Sequence, residues 1–351
     1  MDGSLRRIPL PYPDDVMLSV QLLRFACGGF SVLWGNSHLA NDGYGITMVV
    51  RMWSELAKKG TITAELGRKA VVVNQDRGNA VFRPRIPPSY GAAVDATYTS
   101  YENDDGSRLV NVLTVQDGSV ERLYYIDACD VARLRDAAST ITELRRASRV
   151  QAVSAYLWKT LAAVVATSRV PEARCRMGWW VDSRRRFTTT TTASSMDNFF
   201  GNMTAYVLRE AAVEEIREKT MAEVADMVRD TIASVDYDAY MQEVVDWVEE
   251  HKAGRRRMME AGAVGVGSPT LNQTVFASFP LDTDFGFGDA TLAMPLWDNG
   301  RVSSGTLGVG VRPVGNGSWL VSYIWPRLAA ALESDERRIF KPLTAVYLGL
   351  L

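Results

Sequence analysis

The chain has 351 residues, 47% of them hydrophobic, and its 39 Lys and Arg against 41 Asp and Glu give a formal charge of -2. So even a balance excludes recruitment by an overall basic field to nucleic acid or to an anionic membrane, and the length exceeds what one hydrophobic core ordinarily fills. What remains is two domains or one large α/β unit with two lobes, built either to work on small molecules or to bind a partner.

In chain order, the N-terminus offers no apolar segment long enough for a signal peptide. The apolar stretch 16–34 is broken by Gln21, Arg24 and the pair Gly28-Gly29. It therefore reads as a hairpin of buried strands, 17–25 and 30–36, rather than a membrane span. From Tyr44 to Lys59 the residues Ile46, Val49, Val50, Trp53 and Ala57 recur at helical spacing, and Lys58-Lys59-Gly60 supplies a cationic last turn and a glycine stop. Residues 60–107, with Pro84, Pro87 and Pro88, read mostly as loop with short helical pieces. Leu109 to Val115 and Val120 to Ile126 flank the turn Asp117-Gly118-Ser119 as a second hairpin, and a helix follows over 129–138. Ser148 and Gln151, three apart, form a capping box ahead of the stripe Ala155, Leu157, Leu161 and Val165.

Arg176 to Val181, with Trp179-Trp180, reads as a buried strand, and the threonine run 188–192 as a connecting loop near a boundary. Two helical stripes, Val224 to Val235 and Tyr240 to Val248, read as cover for a sheet. Strands are expected over 273–279, 306–311 and 319–324. The cysteines, Cys27, Cys129 and Cys175, are odd in number and widely spaced, with no metal-ligand pattern alongside two distant histidines, so they read as reduced core thiols and no metal is expected.

Only His38 and His251 could act as a proton acceptor of the histidine type. His251 lies among Glu249, Glu250, Lys252 and Arg255 on what reads as a solvated helix end, which leaves His38, at the end of a strand, as the candidate base. Asp42 lies four residues on, followed by Gly43. By spacing alone Asp42 is either a catalytic partner or simply the N-cap of the next helix. Asp284-Phe285-Gly286 matches a kinase magnesium loop, but the glycine-rich loop, strand lysine and His-Arg-Asp segment of a kinase are missing. The glycines of 262–267 lack dinucleotide-site spacing, and Arg255-Arg256-Arg257 reads as a solvated helix end.

Taken together, Ser37-His38-Leu39-Ala40-Asn41-Asp42-Gly43 and Asp284-Phe285-Gly286-Phe287-Gly288 closely resemble the two motifs of the plant BAHD family of acyl-CoA-dependent acyltransferases. Trp180-Val181-Asp182-Ser183-Arg184 looks like the family's Val-Asp-x-Arg segment and Phe199-Phe200-Gly201-Asn202 like its Tyr-Phe-Gly-Asn segment, so the likeness runs from about Val16 to about Ser334. The resemblance implies a two-lobed chloramphenicol acetyltransferase-like α/β fold, mixed sheets with covering helices. Its lobes would be 1–175, incomplete at the N-terminus and carrying His38, and 201–351, carrying the Asp284 loop, with a crossover strand and loop over 176–200. It implies His38 as general base, with Asp42, Gly43 and Arg184 as support. Thr274 and Phe276 would lie on the oxyanion or acceptor side, and Asp284, Phe285, Gly286, Phe287, Gly288 and Asn202 on the CoA side.

The resemblance also implies acyl-CoA as co-substrate, no permanently bound cofactor, a small-molecule acceptor, no nucleic acid or membrane partner, and a cytoplasmic monomer. Phe287 stands where the family usually has tryptophan, and Thr274-Val275-Phe276 where members often have Thr-x-Trp, so an indole donor is gone. The ending from Phe340 to Leu351 departs from the family's and reads as either frayed or differently spliced. A different class of reading is a truncated, catalytically silent member that acts only as a binding protein. The related condensation domains usually carry a second histidine where this chain has Ser37.

Overall fold

The structure is a computed structural model, and it describes residues 17–38, 40–61, 81–98, 119–140, 146–168, 173–189, 196, 198–252, 268–276, 279, 283–295, 305–311 and 318–351. Strands β1 (Leu18–Arg24) and β2 (Phe30–Asn36) pair antiparallel from Leu18↔Asn36 to Arg24↔Phe30. The expectation that they are buried is corrected. Leu22 is 66% exposed, and Val20, Phe30 and the facing Trp53 are also exposed. Alternation in a two-stranded sheet puts every second side chain on the outer face, and here that face is apolar. With Val32, Trp34, Phe285 and Phe287 these residues line a shallow groove of about 310 Å³.

Helix α1 (Gly43–Lys59) begins where Asp42 accepts the Gly45 N–H at 3.0 Å and ends at Gly60, whose φ of 72° and N–H to Leu56 O close it. Helices α2 (Ala92–Tyr98), α3 (Ala128–Ala137) and α4 (Arg149–Ala166) flank strand β3 (Val120–Ile126) along the chain. The capping box of Ser148 and Gln151 is formed at the start of α4, and that helix buries Ala152, Leu157, Trp158, Leu161 and Val165 completely. It is the core element, packed on strands β4 (Arg174–Asp182) and β6 (Thr270–Val275) on one side and on helices on the other.

Seven strands form the main sheet in the order β5-β4-β6-β7-β8-β3-β9, where β5 is Thr204–Ala212, β7 Gly305–Val311, β8 Ser318–Ile324 and β9 Lys341–Pro342. β4, β6 and β7 run parallel and the remaining pairings are antiparallel. β5 had no counterpart in the sequence reading: Leu208-Arg209-Glu210-Ala211-Ala212 are helix formers, and pairing with β4 over nine residues overrides that propensity. Of the hairpin expected across 117–119, the first strand lies outside the described residues; β3 pairs with β8 and β9. This sheet also crosses the boundary expected at residue 175, because β3 from before it closes against β8.

Helices α5 (Val213–Glu218), α6 (Met221–Ala233) and α7 (Tyr237–His251) follow β5. The expected cover is two layers deep, since α6 packs chiefly on α4 rather than on strands. Helix α8 (Pro326–Ser334) leads to a tail that packs back on β3, so of the two readings of this ending the structure does not show fraying. Lys341 bonds Asp127 at 2.6 Å and Asp130 at 2.7 Å, the Leu343 N–H bonds Leu123 O at 2.8 Å, and Tyr347 stacks on Tyr125 with centroids 3.7 Å apart. The expectation of three core thiols is also corrected: Cys175 is buried in β4, whereas Cys27 and Cys129 are exposed, and all three are free.

Candidate active site

The C-terminal ends of the parallel strands β4 and β6, the start of β5 and the N-terminus of α1 converge on one edge of the main sheet, the edge at which open α/β sheets present their ligand crevices. His38 stands in the turn that joins β2 to α1. The Ser37 carbonyl holds that turn by accepting the Ala40 N–H at 3.0 Å and the Asn41 N–H at 3.2 Å. The imidazole is exposed, and its Nδ1 lies 3.0 Å from Asn202 Nδ2. Asn202, grouped from the resemblance with the CoA-side loop, therefore lies against His38 instead.

Asp42 is 3% exposed at its side chain and Arg184 4%. Arg184 Nη1 donates to Asp42 Oδ2 at 2.7 Å and Nη2 to Asp42 Oδ1 at 3.2 Å, a two-point contact that a lysine could not reproduce. The remaining guanidinium hydrogens go to Asp182 Oδ1 at 2.9 Å, Phe199 O at 3.2 Å and Gly201 O at 2.7 Å, with the Tyr44 ring 4.7 Å from Cζ. Burial by itself disfavours the Arg184 charge, but Asp42 and Asp182 outweigh it and hold its pKa above the usual arginine value. The Met203 N–H also donates to Asp42 Oδ2, at 2.8 Å. Asp42 thus caps α1, pairs with Arg184 and pins the chain leading into β5, all with one carboxylate.

Gly43 permits the close approach of Phe276, since a Cβ there would lie 2.8 Å from that ring and 3.3 Å from Phe279. Phe276 follows directly on β6, and Thr274 is half-buried within that strand, beside Trp180 of β4 and Gly308 of β7 in register. The loop 284–288 is elsewhere, at the other end of α1. Asp284 Oδ2 meets Lys58 at 2.5 Å while its Oδ1 accepts the Gly286 and Gly288 N–H groups at 2.7 and 3.0 Å. The Lys58 bond first, then the Gly286 N–H, hold the Asp284 carboxyl down to about 2. Gly286 and Gly288 have φ of 101° and 98°, which side chains oppose. Phe285 stacks on Trp34 and Phe287 meets Phe30 edge-on. The 17 residues of α1 separate this loop from His38 by about 25 Å.

Sequence reasoning did not find Tyr44 over Arg184, Met203 on Asp42 or Asn202 on His38. The only available signal was that Asn202 closes the Phe-Phe-Gly-Asn segment. His251 stacks on Trp247, with centroids 4.1 Å apart, at the end of α7. Among the described residues Asp127, Cys129 and Asp130 have ligand atoms spaced for a metal, but the Lys341 ammonium bonds both carboxylates. No helix among the described residues is long and apolar enough to cross a membrane, and residues 255–257 and 262–267 lie outside them.

The fold is the two-lobed chloramphenicol acetyltransferase-like one. A crystal structure of F. graminearum TRI101 with coenzyme A and T-2 mycotoxin superposes with a TM-score of 0.67 at 16% identity, over 93% of this chain and 69% of that one. The chain belongs to the Transferase family, that of the BAHD acyltransferases, whose model matches residues 9–317. It is 26% identical to putrescine hydroxycinnamoyltransferase 3 of Oryza sativa subsp. japonica, over 85% of this chain and 63% of that protein. It is 22% identical to omega-hydroxypalmitate O-feruloyl transferase of Arabidopsis thaliana, over 80% and 55%. The chain thus spans about three fifths of the length of these curated relatives.

Proposed function

We propose that this chain carries the reaction site of an acyl-CoA-dependent acyltransferase that moves an acyl group to the hydroxyl or amine of a small plant metabolite. The observation that carries the proposal is an exposed histidine in a turn held by a buried, bidentate ion pair, which is the arrangement a fixed base at a channel mouth needs. Neutral His38 takes the acceptor's proton as its oxygen or nitrogen attacks the thioester carbonyl. The tetrahedral adduct then expels CoA thiolate, which receives the proton from the imidazolium; one C–O or C–N bond forms, one C–S bond breaks, and no acyl-enzyme intervenes. Asp42, Gly43 and Arg184 hold the turn. Thr274 and Phe276 are assigned to the acceptor side, Phe276 as a wall without a donor, and the Asp284 loop to the CoA side.

The relatives' names support both acceptor types, one being an O-feruloyl transferase and the other acting on an amine. The same reading makes the protein a cytoplasmic monomer whose partners are acyl-CoA and a small acceptor. The test is a panel of acyl-CoA thioesters against phenolic, aliphatic and polyamine acceptors, with product measured by mass spectrometry and His38→Ala as the blank. Wild-type turnover with a loss of about 10²-fold or more in the blank is expected. Equal turnover in the blank removes His38 from its role, and a folded chain inactive with every pair leaves the silent binding protein as the better description.

A further inference from the structure

The Asn202 amide has only one orientation that satisfies its neighbours. Its Oδ1 accepts the Thr204 N–H at 3.0 Å, and its Nδ2 donates to the His38 carbonyl at 2.7 Å; both partners are backbone groups of fixed polarity. The same Nδ2 lies 3.0 Å from His38 Nδ1, so a donor faces that ring nitrogen. The residue is bracketed by the buried ion pair: the Gly201 carbonyl accepts from Arg184 Nη2 and the Met203 N–H donates to Asp42 Oδ2. Its main chain is therefore held on both sides.

We infer that Asn202 is the positioning residue of His38, setting its tautomer so that the neutral ring of the unliganded protein keeps its lone pair on Nδ1 and its hydrogen on Nε2. The catalytic meaning of this rests on the proposed role of His38 as base. A base must show its lone pair to the acceptor, and Asn202 occupies the one that is present. Nε2 accepts a proton only once its hydrogen has moved to Nδ1, which requires the amide to give up that contact. Asn202 thus couples arming of the base to displacement of its own side chain, and the ion pair reaches His38 through it.

Nitrogen-15 spectra at alkaline pH test this directly, because the chain holds only two histidines and His251→Gln assigns the signals. In the wild-type protein His38 Nε2 is expected to be pyrrole-like and Nδ1 pyridine-like. Asn202→Asp keeps an acceptor for the Thr204 N–H while placing an acceptor at Nδ1, and is expected to reverse the two signals. Asn202→Ala is expected to show both forms. A wild-type spectrum with the hydrogen on Nδ1, or one that Asn202→Asp leaves unchanged while its melting temperature is preserved, overturns the inference. Turnover of His38→Ala tests the base separately: a dispensable His38 with the expected spectra keeps the tautomer assignment and loses the base.

Discussion

Substituting Asp42 by alanine is the most direct test of how the site is held. The carboxylate is 3% exposed and serves Arg184 at two points, the Gly45 N–H and the Met203 N–H. Breaking a buried ion pair by removing one partner costs roughly 3–5 kcal/mol. Asp182, 2.9 Å from Nη1 and 23% exposed, stays behind and keeps part of the compensation, which argues for the lower end. The two backbone donors argue the other way, since an unmet buried donor costs about 1–3 kcal/mol and a lost N-cap about 1 kcal/mol. These contributions overlap, so the expectation is about 4 kcal/mol. At about 2 °C per kcal/mol for a chain of this length, that is a fall in melting temperature of about 8 °C by differential scanning calorimetry. Asp42→Asn keeps the oxygen that caps α1 and accepts Arg184 Nη2 but loses the charge and the Oδ2 contacts, and should recover about 1 kcal/mol. An alanine variant that melts within about 2 °C of wild type yet is inactive would refute the reasoning and return Asp42 to a chemical role.

Three further outcomes follow from other parts of the molecule. Burial pushes the Cys175 thiol up to about 12, so iodoacetamide should modify Cys27 and Cys129 in the folded protein and Cys175 only after unfolding; early labelling of Cys175 on peptide mapping would contradict its placement in β4. Burial alone would raise Asp130, but Lys341 and Arg133 lower it, so its contribution is present above the unfolded carboxylate value of about 3.9 and is lost as pH falls below it. The protection factor of the Leu343 amide, its slowing relative to intrinsic exchange at the same pH, should accordingly be high at neutral pH and fall in acid, and Lys341→Met should lower it at neutral pH; an equal protection factor in that variant would detach the tail from this anchor. Ser148→Ala removes one half of the α4 capping box and should cost about 1 kcal/mol in denaturant titration, a loss that a neutral result would disprove.

What could be read from the chain beforehand was decided by distance along it. The caps at Asp42 and Ser148, the glycine stop at Gly60 and the β1–β2 hairpin depend on neighbours within a turn or two, and the sequence pattern locates each of them. β5 was hidden because its residues favour helix locally and are strand only by pairing with β4. The exposure of Leu22 and of Cys129 was hidden because apolar or thiol character says nothing about which face is covered. Asn202 shows the limit most clearly. It meets His38 across 164 positions, and the main chain on either side of it is held by an ion pair whose partners are themselves 142 apart. Resemblance grouped Arg184 with Asp42 as support of His38, yet it grouped Asn202 with the Asp284 loop on the CoA side, since a motif preserves the identity of its residues and not the direction of their hydrogen bonds. Only the fold shows that one buried carboxylate holds both the helix that follows His38 and the residue that faces its ring.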